Sequence, residues 1–142
     1  MTANDRRSAL RRAVEIFITP DDQSVLTLAE LFTDKATVWS PNILAEGLED
    51  RATVLGYREG AFSDVGIEFN TLDVFGNKGL AEICVVGKFS GPFLVDDEVV
   101  IEPNGEQIVL GAAVVADFDG DKISALRGYF DDSTLLEQML PA

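Results

Sequence analysis

The sequence predicts an α+β fold, with helices on one face of a bent antiparallel sheet. Three observations lead to this prediction. Apolar residues recur at helical spacing in the first part of the chain. After Gly66 the pattern changes to the shorter period of strands. Tight-turn signals then separate the strands, and the strongest of them is Asp119-Gly120-Asp121.

The first predicted helix runs from about Asp5 to Phe17. Leu10, Val14 and Phe17 recur at spacings of four and three residues, which places them in one apolar stripe. Pro20 ends this helix, because proline has no backbone N–H with which to continue it.

A second helix and a short strand follow. Asp21 or Asp22 is predicted to cap the helix, which runs to about Leu31, because a carboxylate there accepts hydrogen bonds from unpaired N–H groups. Thr37-Val38-Trp39 is predicted to be the first strand, and Ser40-Pro41-Asn42 closes it. The predicted buried face of the second helix comprises Val25, Leu28, Ala29 and Phe32.

A third helix is predicted from Glu49 to Phe62. Gly47 lies just before it, and the acidic Glu49 and Asp50 suit the positive end of the helix dipole. Gly56 inside this helix costs about 1 kcal/mol relative to alanine, so the prediction of a helix is weakest there.

The second half of the chain is predicted to consist of strands joined by turns. Gly76-Asn77-Lys78-Gly79 marks a hairpin turn. Residues 90–105 are ambiguous, and Val99-Val100-Ile101 could form a short strand there. Ser133, or Asp131 before it, is predicted to cap a final helix. The other predicted strands are Ile67 to Phe75, Leu80 to Phe89, Gln107 to Phe118 and Lys122 to Phe130.

The composition excludes several kinds of chemistry. The chain has 142 residues, which we predict to form one domain over 1–142, and it contains no histidine. Ser-His-Asp and Cys-His catalysis, histidine ligation of a metal and histidine-bound haem are therefore excluded. Cys84 is the only cysteine, so no intrachain disulfide and no thiolate zinc site can form. We expect no metal and no cofactor.

The chain is strongly acidic. It holds 25 Asp and Glu against 11 Lys and Arg, a formal net charge of -14. Such a chain repels nucleic-acid phosphates and anionic lipid surfaces, so we expect no nucleic-acid and no membrane partner. No apolar run approaches the ~18 residues of a membrane-spanning helix. The polar start, Met1 to Arg12, lacks the apolar stretch of a secretory signal, and we expect a cytoplasmic location.

Three segments of the chain resemble one protein family. Phe32-Thr33-Asp34-Lys35-Ala36-Thr37-Val38-Trp39 is similar to the entry into the first strand of the nuclear transport factor two-like superfamily. Gly47, followed by a helix ending in Ala61-Phe62-Ser63-Asp64, is similar to the next segment of that family. Phe118-Asp119-Gly120-Asp121-Lys122-Ile123 and Arg127-Gly128-Tyr129-Phe130-Asp131 resemble the closing hairpin of its SnoaL-like branch, named for a polyketide cyclase. The resemblance covers roughly residues 8–140.

The resemblance implies a cone, in which a curved sheet wraps around a pocket and helices close one side. The family includes polyketide cyclases, ketosteroid isomerase, limonene epoxide hydrolase, scytalone dehydratase and binding domains, so the fold leaves the function open. Dimers through the sheet are common in the family, which implies a homodimer here.

Strand parity predicts which residues face this pocket, because alternate residues of a strand point to opposite sides. If Val38 and Ser40 point inward, Trp39 points away, where a core or interface role is favoured over a ligand contact. The inward set is almost wholly apolar, which predicts a hydrophobic ligand. The predicted lining residues, with Trp39 kept among them, are Ala13, Phe17, Val38, Trp39, Val85, Gly87, Phe89, Ala112, Val114, Leu126, Gly128 and Phe130.

Three side chains are candidates for a catalytic role. Ser40 ends the first strand, where its hydroxyl either forms a hydrogen bond to a ligand or caps the strand. Tyr57, on the third helix, either reaches the pocket mouth or packs on the sheet. Asp117, like Glu82, would face the pocket if the register differed by one residue, and a buried carboxylate would then serve as an acid or base.

The chain lacks the acid and base sets of the family members that it resembles. A serine without an adjacent base is a poor substitute for a carboxylate. The ketosteroid isomerase Asp base, Tyr and protonated Asp correspond to Ser40, Ala13 and Val114, and three epoxide hydrolase positions correspond to Gly128, Val85 and Gly87.

Three kinds of function therefore remain open. The first is cofactor-free cyclisation, isomerisation, dehydration or hydrolysis of a hydrophobic polycyclic, polyketide-like or terpenoid-like substrate, driven by binding geometry and one or two hydrogen bonds. The second is a non-catalytic domain that binds a ligand or a protein partner, and the small subunit of a larger oxygenase is a third possibility. A carboxylate inside the cone would favour catalysis, and a dry apolar pocket would favour binding. The expected partner is a hydrophobic small molecule.

Overall fold

The computed structural model of this chain describes residues 3–21, 23–41, 43–47, 49–52, 60–95 and 98–140. Residues 47 and 49–52 are also helical. Within the described ranges, no helix is long and apolar enough to cross a lipid bilayer. The elements are α1 (Ala3–Ile18), α2 (Ser24–Leu31), β1 (Phe32–Ser40), β2 (Ile43–Glu46), β3 (Phe62–Phe75), β4 (Lys78–Phe89), β5 (Phe93–Leu94), β6 (Val100–Ile101), β7 (Gln107–Asp119), β8 (Lys122–Tyr129) and α3 (Asp132–Met139).

The main sheet has six strands in the order β2-β1-β8-β7-β4-β3, and it is curved but not closed. This arrangement confirms the predicted α+β class. Neighbouring strands run antiparallel except β1 and β8, which run parallel. The prediction of a purely antiparallel sheet is wrong at this pair, because β1 lies beside the last strand of the chain and not beside β3.

The first two helices begin and end close to their predicted limits. Asp21 lies before α2, where its carboxylate accepts a hydrogen bond from the backbone N–H of Gln23 (2.9 Å) and one from the Ser24 hydroxyl (3.2 Å). Phe32, predicted on the face of α2, is instead the first residue of β1, and Ala29 is exposed. Phe32 lies in the strand because α2 ends at Leu31 and the chain then extends directly into the sheet.

Strand β1 is longer than predicted, and a buried arginine holds its irregular part. The pairing of β1 with β8 shifts register between Phe32 and Thr37. Arg51, which is 1% exposed, donates hydrogen bonds to the carbonyl oxygens of Ala36 (2.8 Å) and Thr33 (3.3 Å). Its guanidinium also lies 5.1 Å from the centre of the Phe32 ring. A charge-assisted donor thus binds two carbonyl oxygens within the stretch where the register shifts.

The third predicted helix is confirmed only at its start. Residues 49–52 are helical, whereas Gly60 lies in a turn and Phe62 begins β3. The predicted end at Phe62 is therefore wrong, because the alternation that places β3 in the sheet starts four residues before Gly66. Tyr57 and Gly56 lie outside the described residues.

The two predicted hairpin turns are confirmed. Gly76 and Asn77 join β3 to β4, and Gly120 and Asp121 join β7 to β8. Gly76 has a φ of 60° and Gly120 a φ of 62°, which glycine adopts without steric cost. The ambiguous segment after β4 contains a small hairpin, in which β5 pairs with β6.

The final helix is capped by Asp131 and not by Ser133. One oxygen of the Asp131 carboxylate accepts from the backbone N–H groups of Ser133 (3.0 Å) and Thr134 (3.4 Å). These bonds lower the pKa of Asp131, together with the bond from the Thr134 hydroxyl, which contributes most. The cap lies two residues earlier than Ser133, because α3 already begins at Asp132.

Two apolar clusters hold the helices against the inner face of the sheet. The larger one joins α1 and α2 to the sheet through residues such as Leu10, Leu28 and Ile123. The smaller one contains Leu135 and Met139 of α3 with residues of the neighbouring strands. Residues of both clusters line the cavity described below.

Candidate functional site

A cavity of about 190 Å³ opens on the inner face of the sheet. The last turn of α1 contributes Phe17 and Ile18 to its wall, and α3 contributes Leu135. The curved strands β1, β4, β7 and β8 form its floor, because each of them points alternate residues inward. The site is therefore a bowl of sheet closed by helices at its sides.

Most residues that strand parity predicted for the pocket lie around this cavity. They come from α1 and from the four strands β1, β4, β7 and β8 or their ends, on the faces that strand parity predicts to point inward. The predicted residues at the cavity are Phe17, Val38, Trp39, Val85, Gly87, Ala112, Val114, Leu126, Gly128 and Phe130.

Ala13 and Phe89 were predicted to line the pocket, but the structure buries both in the core. Ala13 is fully buried where α1 packs on the sheet. Phe89 is fully buried in the smaller cluster, with its ring centre 5.7 Å from that of Phe62. Both residues point inward as predicted, but neighbouring side chains cover them, so they cannot contact a ligand.

Other lining residues were not named in the sequence prediction. Val14 and Ile18 belong to the apolar stripe of α1, so helical spacing could have identified them. Phe62 and Val65 were not predicted, because Phe62 was assigned to the end of the third helix and Val65 lies before the next predicted strand, whereas both belong to β3. The remaining ones are Ile43, Phe93, Ile108 and Leu135, whereas Ile83 and Leu110, which also line the cavity, lie on the faces that strand parity predicts to point inward.

Trp39 lines the cavity only at its edge. Its side chain is 40% exposed, and the centre of its ring lies 5.3 Å from that of Tyr129. Tyr129 lies on the outer side of β8, because Gly128 and Phe130 face the cavity. Strand parity predicts that Trp39 points away from the pocket, and its ring does lie on the outer side of the sheet.

Ser40 is the one candidate catalytic residue that the structure places at the cavity. It is the last residue of β1 and is half-buried, and it pairs with Ile43 of β2. Among the described lining residues it carries the only hydroxyl group. Tyr57, the second candidate, lies outside the described part of the chain.

Asp117, the third candidate, lies on the opposite face of the sheet. Its neighbours Ala116 and Phe118 are buried on the inner side, so Asp117 points outward. Its Oδ2 accepts a hydrogen bond from Arg127 Nη1 at 2.9 Å, and its Oδ1 forms an ion pair with Lys78 Nζ. The bonds from Arg127 and then Lys78 lower the pKa of Asp117 to about 2. An ionised carboxylate behind the sheet cannot serve as the pocket acid or base.

Glu82 is likewise excluded as a pocket acid. Its side chain is exposed on the outer side of β4 and accepts a hydrogen bond from the Thr71 hydroxyl at 2.7 Å. Among the described lining residues, none carries an ionisable side chain. In the same part of the chain, no group of three Cys, Asp or Glu residues is placed to hold a metal ion.

The described lining residues can therefore interact with a ligand in two ways. They remove apolar surface of a ligand from water, which favours binding by about 25 cal/mol for each Å² buried. At Ser40 they offer a hydroxyl that can both donate and accept a hydrogen bond. Proton transfer by a positioned acid or base would need an ionisable group that these walls do not contain.

The chain is similar in structure to solved proteins of low sequence identity. A candidate SnoaL-like polyketide cyclase from Jannaschia sp. CCS1 has a TM-score of 0.82 at 15% identity, over 99% of this chain and 95% of that one. An LEH-like epoxide hydrolase from M. tuberculosis has a TM-score of 0.68 at 13% identity. The match covers 96% of this chain and 90% of that one. An NTF2-like protein from Burkholderia pseudomallei K96243 has a TM-score of 0.74 at 9% identity. The match covers 99% of this chain and 100% of that one. No protein-family model and no curated protein sequence matches the chain.

The resemblance seen in three short segments is thus confirmed at the level of the fold. At such low identities structural similarity establishes an architecture and leaves the chemistry to the site. The chain adopts the nuclear transport factor two-like fold, in the form found in SnoaL-like and LEH-like proteins.

Proposed function

We propose that this chain binds an uncharged, apolar small molecule in the cavity. The observation that supports the proposal is the lining itself, in which apolar side chains surround the space and no described residue is ionisable. Several of these side chains, Phe17, Val85 and Leu110 among them, remain half-exposed to solvent. Covering such surface with an apolar ligand is favourable, whereas burying an unpaired ion there costs several kcal/mol.

Binding is tested with naphthalene as a neutral probe and with a pair of variants on β7. Leu110 lines the cavity, and its neighbour Val109 is 47% exposed on the other face of the strand. We expect saturable naphthalene binding by the wild type and by Val109→Asn, and at least a fivefold weaker affinity in Leu110→Asn. Naphthalene fluorescence measures the affinity, and native mass spectrometry of gently purified protein shows whether an apolar ligand accompanies it. Absence of saturable binding, or equal losses in both variants, would contradict the proposal.

A second candidate function is cofactor-free catalysis on such a ligand. The similarity in fold to a candidate SnoaL-like polyketide cyclase and to an LEH-like epoxide hydrolase favours it. The reaction would be a cyclisation, isomerisation, dehydration or hydrolysis of a hydrophobic polyketide-like or terpenoid-like substrate. Shape and the Ser40 hydroxyl would supply the acceleration. Incubation of such compounds with wild type and Ser40→Ala decides the matter, because a pure binding protein leaves them chemically unchanged.

We also propose that two copies of the chain pair through the outer face of the sheet. The described helices α1 and α2 pack on the inner face, and the outer face carries exposed apolar side chains. Trp39, Tyr129 and Val109 are 40%, 46% and 47% exposed there. The rings of Trp39 and Tyr129 are neighbours, with centres 5.3 Å apart, and exposed apolar side chains that lie together favour an interface with another molecule.

A further inference from the structure

The polar part of the cavity is confined to one end of β1. Ser40 bears the single hydroxyl among the described lining residues, and the indole of Trp39 is directed to the outer face. The side chains farther into the cavity, such as Ile83 and Val114, are buried and apolar. Among the described lining side chains, a ligand with one polar group therefore meets a hydroxyl partner in one orientation.

The structure leaves room for a ligand group beside Ser40. Gly128 lies next to it in the wall, where a Cβ atom would stand 3.7 Å from the Ser40 Cβ. Because Gly128 has no side chain, the space above Ser40 is not filled from β8. A serine hydroxyl has one donor and two acceptor positions, so it can bind a ligand group in addition to a partner within the protein.

The volume of the cavity limits the size of the ligand. An apolar cavity of about 150 Å³ in another protein stays dry and binds benzene. The cavity here measures about 190 Å³, which suits a molecule somewhat larger than benzene. A fused four-ring compound exceeds this volume, so part of its apolar surface would stay outside the cavity, in water.

We infer that the ligand is a compact, uncharged molecule of about ten non-hydrogen atoms with one hydroxyl or carbonyl group, and that Ser40 orients it through that group. This inference rests on the proposed binding function and makes it more specific. It narrows the expected hydrophobic ligand to one of about the size of naphthalene. Ser40 is here a positioning residue for specificity, and its role requires no acid or base.

The experiment compares four probes, which are naphthalene, 1-naphthol, 1-naphthoate and pyrene. We expect wild type to bind naphthalene and 1-naphthol, to reject the carboxylate at neutral pH, and to bind pyrene at least tenfold more weakly than naphthalene. Ser40→Ala should lose fivefold to tenfold in affinity for 1-naphthol while its affinity for naphthalene changes by less than twofold. Thr37→Ala, at an exposed position of the same strand, is the matched control and should behave as wild type.

The outcomes separate the inference from the function on which it rests. If none of the four probes binds, the proposed binding function fails, and this inference fails with it. If naphthalene binds but Ser40→Ala leaves the affinity for 1-naphthol unchanged, binding stands and the role of Ser40 is overturned. If pyrene binds as tightly as naphthalene, the limit on ligand size is overturned. Unchanged naphthalene affinity in Ser40→Ala also shows that the variant is folded.

Discussion

Asp117 is a catalytic candidate in the sequence, but in the fold its carboxylate forms ion pairs on the outer face of the sheet. Its carboxylate lies between Lys78 of β4 and Arg127 of β8, and so connects both neighbours of β7. The Asp117 side chain is 28% exposed, so water only partly screens the interaction. These three side chains, which we call the brace, connect three strands on the outer face of the sheet.

Replacement of Asp117 by Asn tests this brace. The pKa of Asp117 is about 2 in the folded chain, against about 3.9 for an unfolded Asp. Because the folded pKa is the lower one, the carboxylate stabilises the fold above about pH 4, and this contribution disappears as the pH falls toward 2. We expect Asp117→Asn to lower the free energy of unfolding by about 1–2 kcal/mol at pH 7, after allowance for screening, and by much less near pH 2.5.

Urea unfolding from pH 7 to pH 2.5 measures this difference. Asp119→Asn is the control, because Asp119 is an exposed acid on the same strand. It removes the same charge without removing the brace. A deficit in Asp117→Asn that does not depend on pH would show that packing, and not the ionised carboxylate, is responsible.

At the scale of elements, strands joined by tight turns were predicted well and long-range pairings were not. The turn at Asp119-Gly120-Asp121 fixes where β7 ends and β8 begins, because only the local chain determines it. In contrast, β1 was predicted as three residues and spans Phe32–Ser40. Its additional length depends on pairing with β8 and on Arg51, which lies far along the chain, and no local pattern records these contacts.

The side chain of Gln138 attaches the last helix to the sheet, because its amide pairs with the backbone of β7 as a neighbouring strand would. Gln138 Nε2 donates to the Val109 carbonyl oxygen (2.9 Å), and the Val109 N–H donates to Gln138 Oε1 (2.8 Å). The pairing of β7 with β8 ends at Ala113, so the Gln138 amide occupies the open edge of β7 near Val109. Leu135 of the same helix lines the cavity, so this amide holds part of the cavity wall in place.

Gln138→Leu removes both hydrogen bonds to Val109, and the bond from Gln138 Nε2 to the Thr134 carbonyl oxygen (3.1 Å), with little change in side-chain size. We expect the free energy of unfolding to fall by about 1–2 kcal/mol, amide hydrogen exchange in α3 to accelerate, and naphthalene to dissociate faster. Exchange in β1, which contributes no residue to the smaller cluster that contains α3, should remain as in wild type. Glu137→Leu, exposed on the same helix, is the control. Exchange in α3 at the wild-type rate would show that the Gln138 amide does not retain the helix.

For the whole molecule, the face of each strand could be predicted and the boundary between cavity and core could not. Parity correctly sent Val85 and Phe89 to the same side of β4. Only Val85 reaches the cavity, because Phe62 and its neighbours cover Phe89. Which inward residues stay uncovered depends on how helices and loops dock, and docking is a property of the assembled fold.

Two opposing forces act on the proposed pairing of two copies, which are apolar attraction and charge repulsion. The outer face offers apolar surface around Trp39 and Tyr129, which favours association. Each copy also carries a formal charge of -14, and the two charges repel one another. Salt screens this repulsion over about 8 Å at physiological ionic strength, so the association should strengthen as salt is added.

Sedimentation equilibrium measures the outcome. We expect a mass near twice 15.4 kDa in 0.15 M salt, with a shift toward the single chain in about 0.01 M salt, where the screening length grows to about 30 Å. Tyr129→Glu places a charge in the proposed interface and should give the single-chain mass at both salt concentrations. Leu26→Glu adds the same charge on α2, where Leu26 is 65% exposed, and should pair as wild type does. A wild-type mass of 15.4 kDa at every salt and protein concentration, or equal dissociation in both variants, would mean that the outer face does not join two copies.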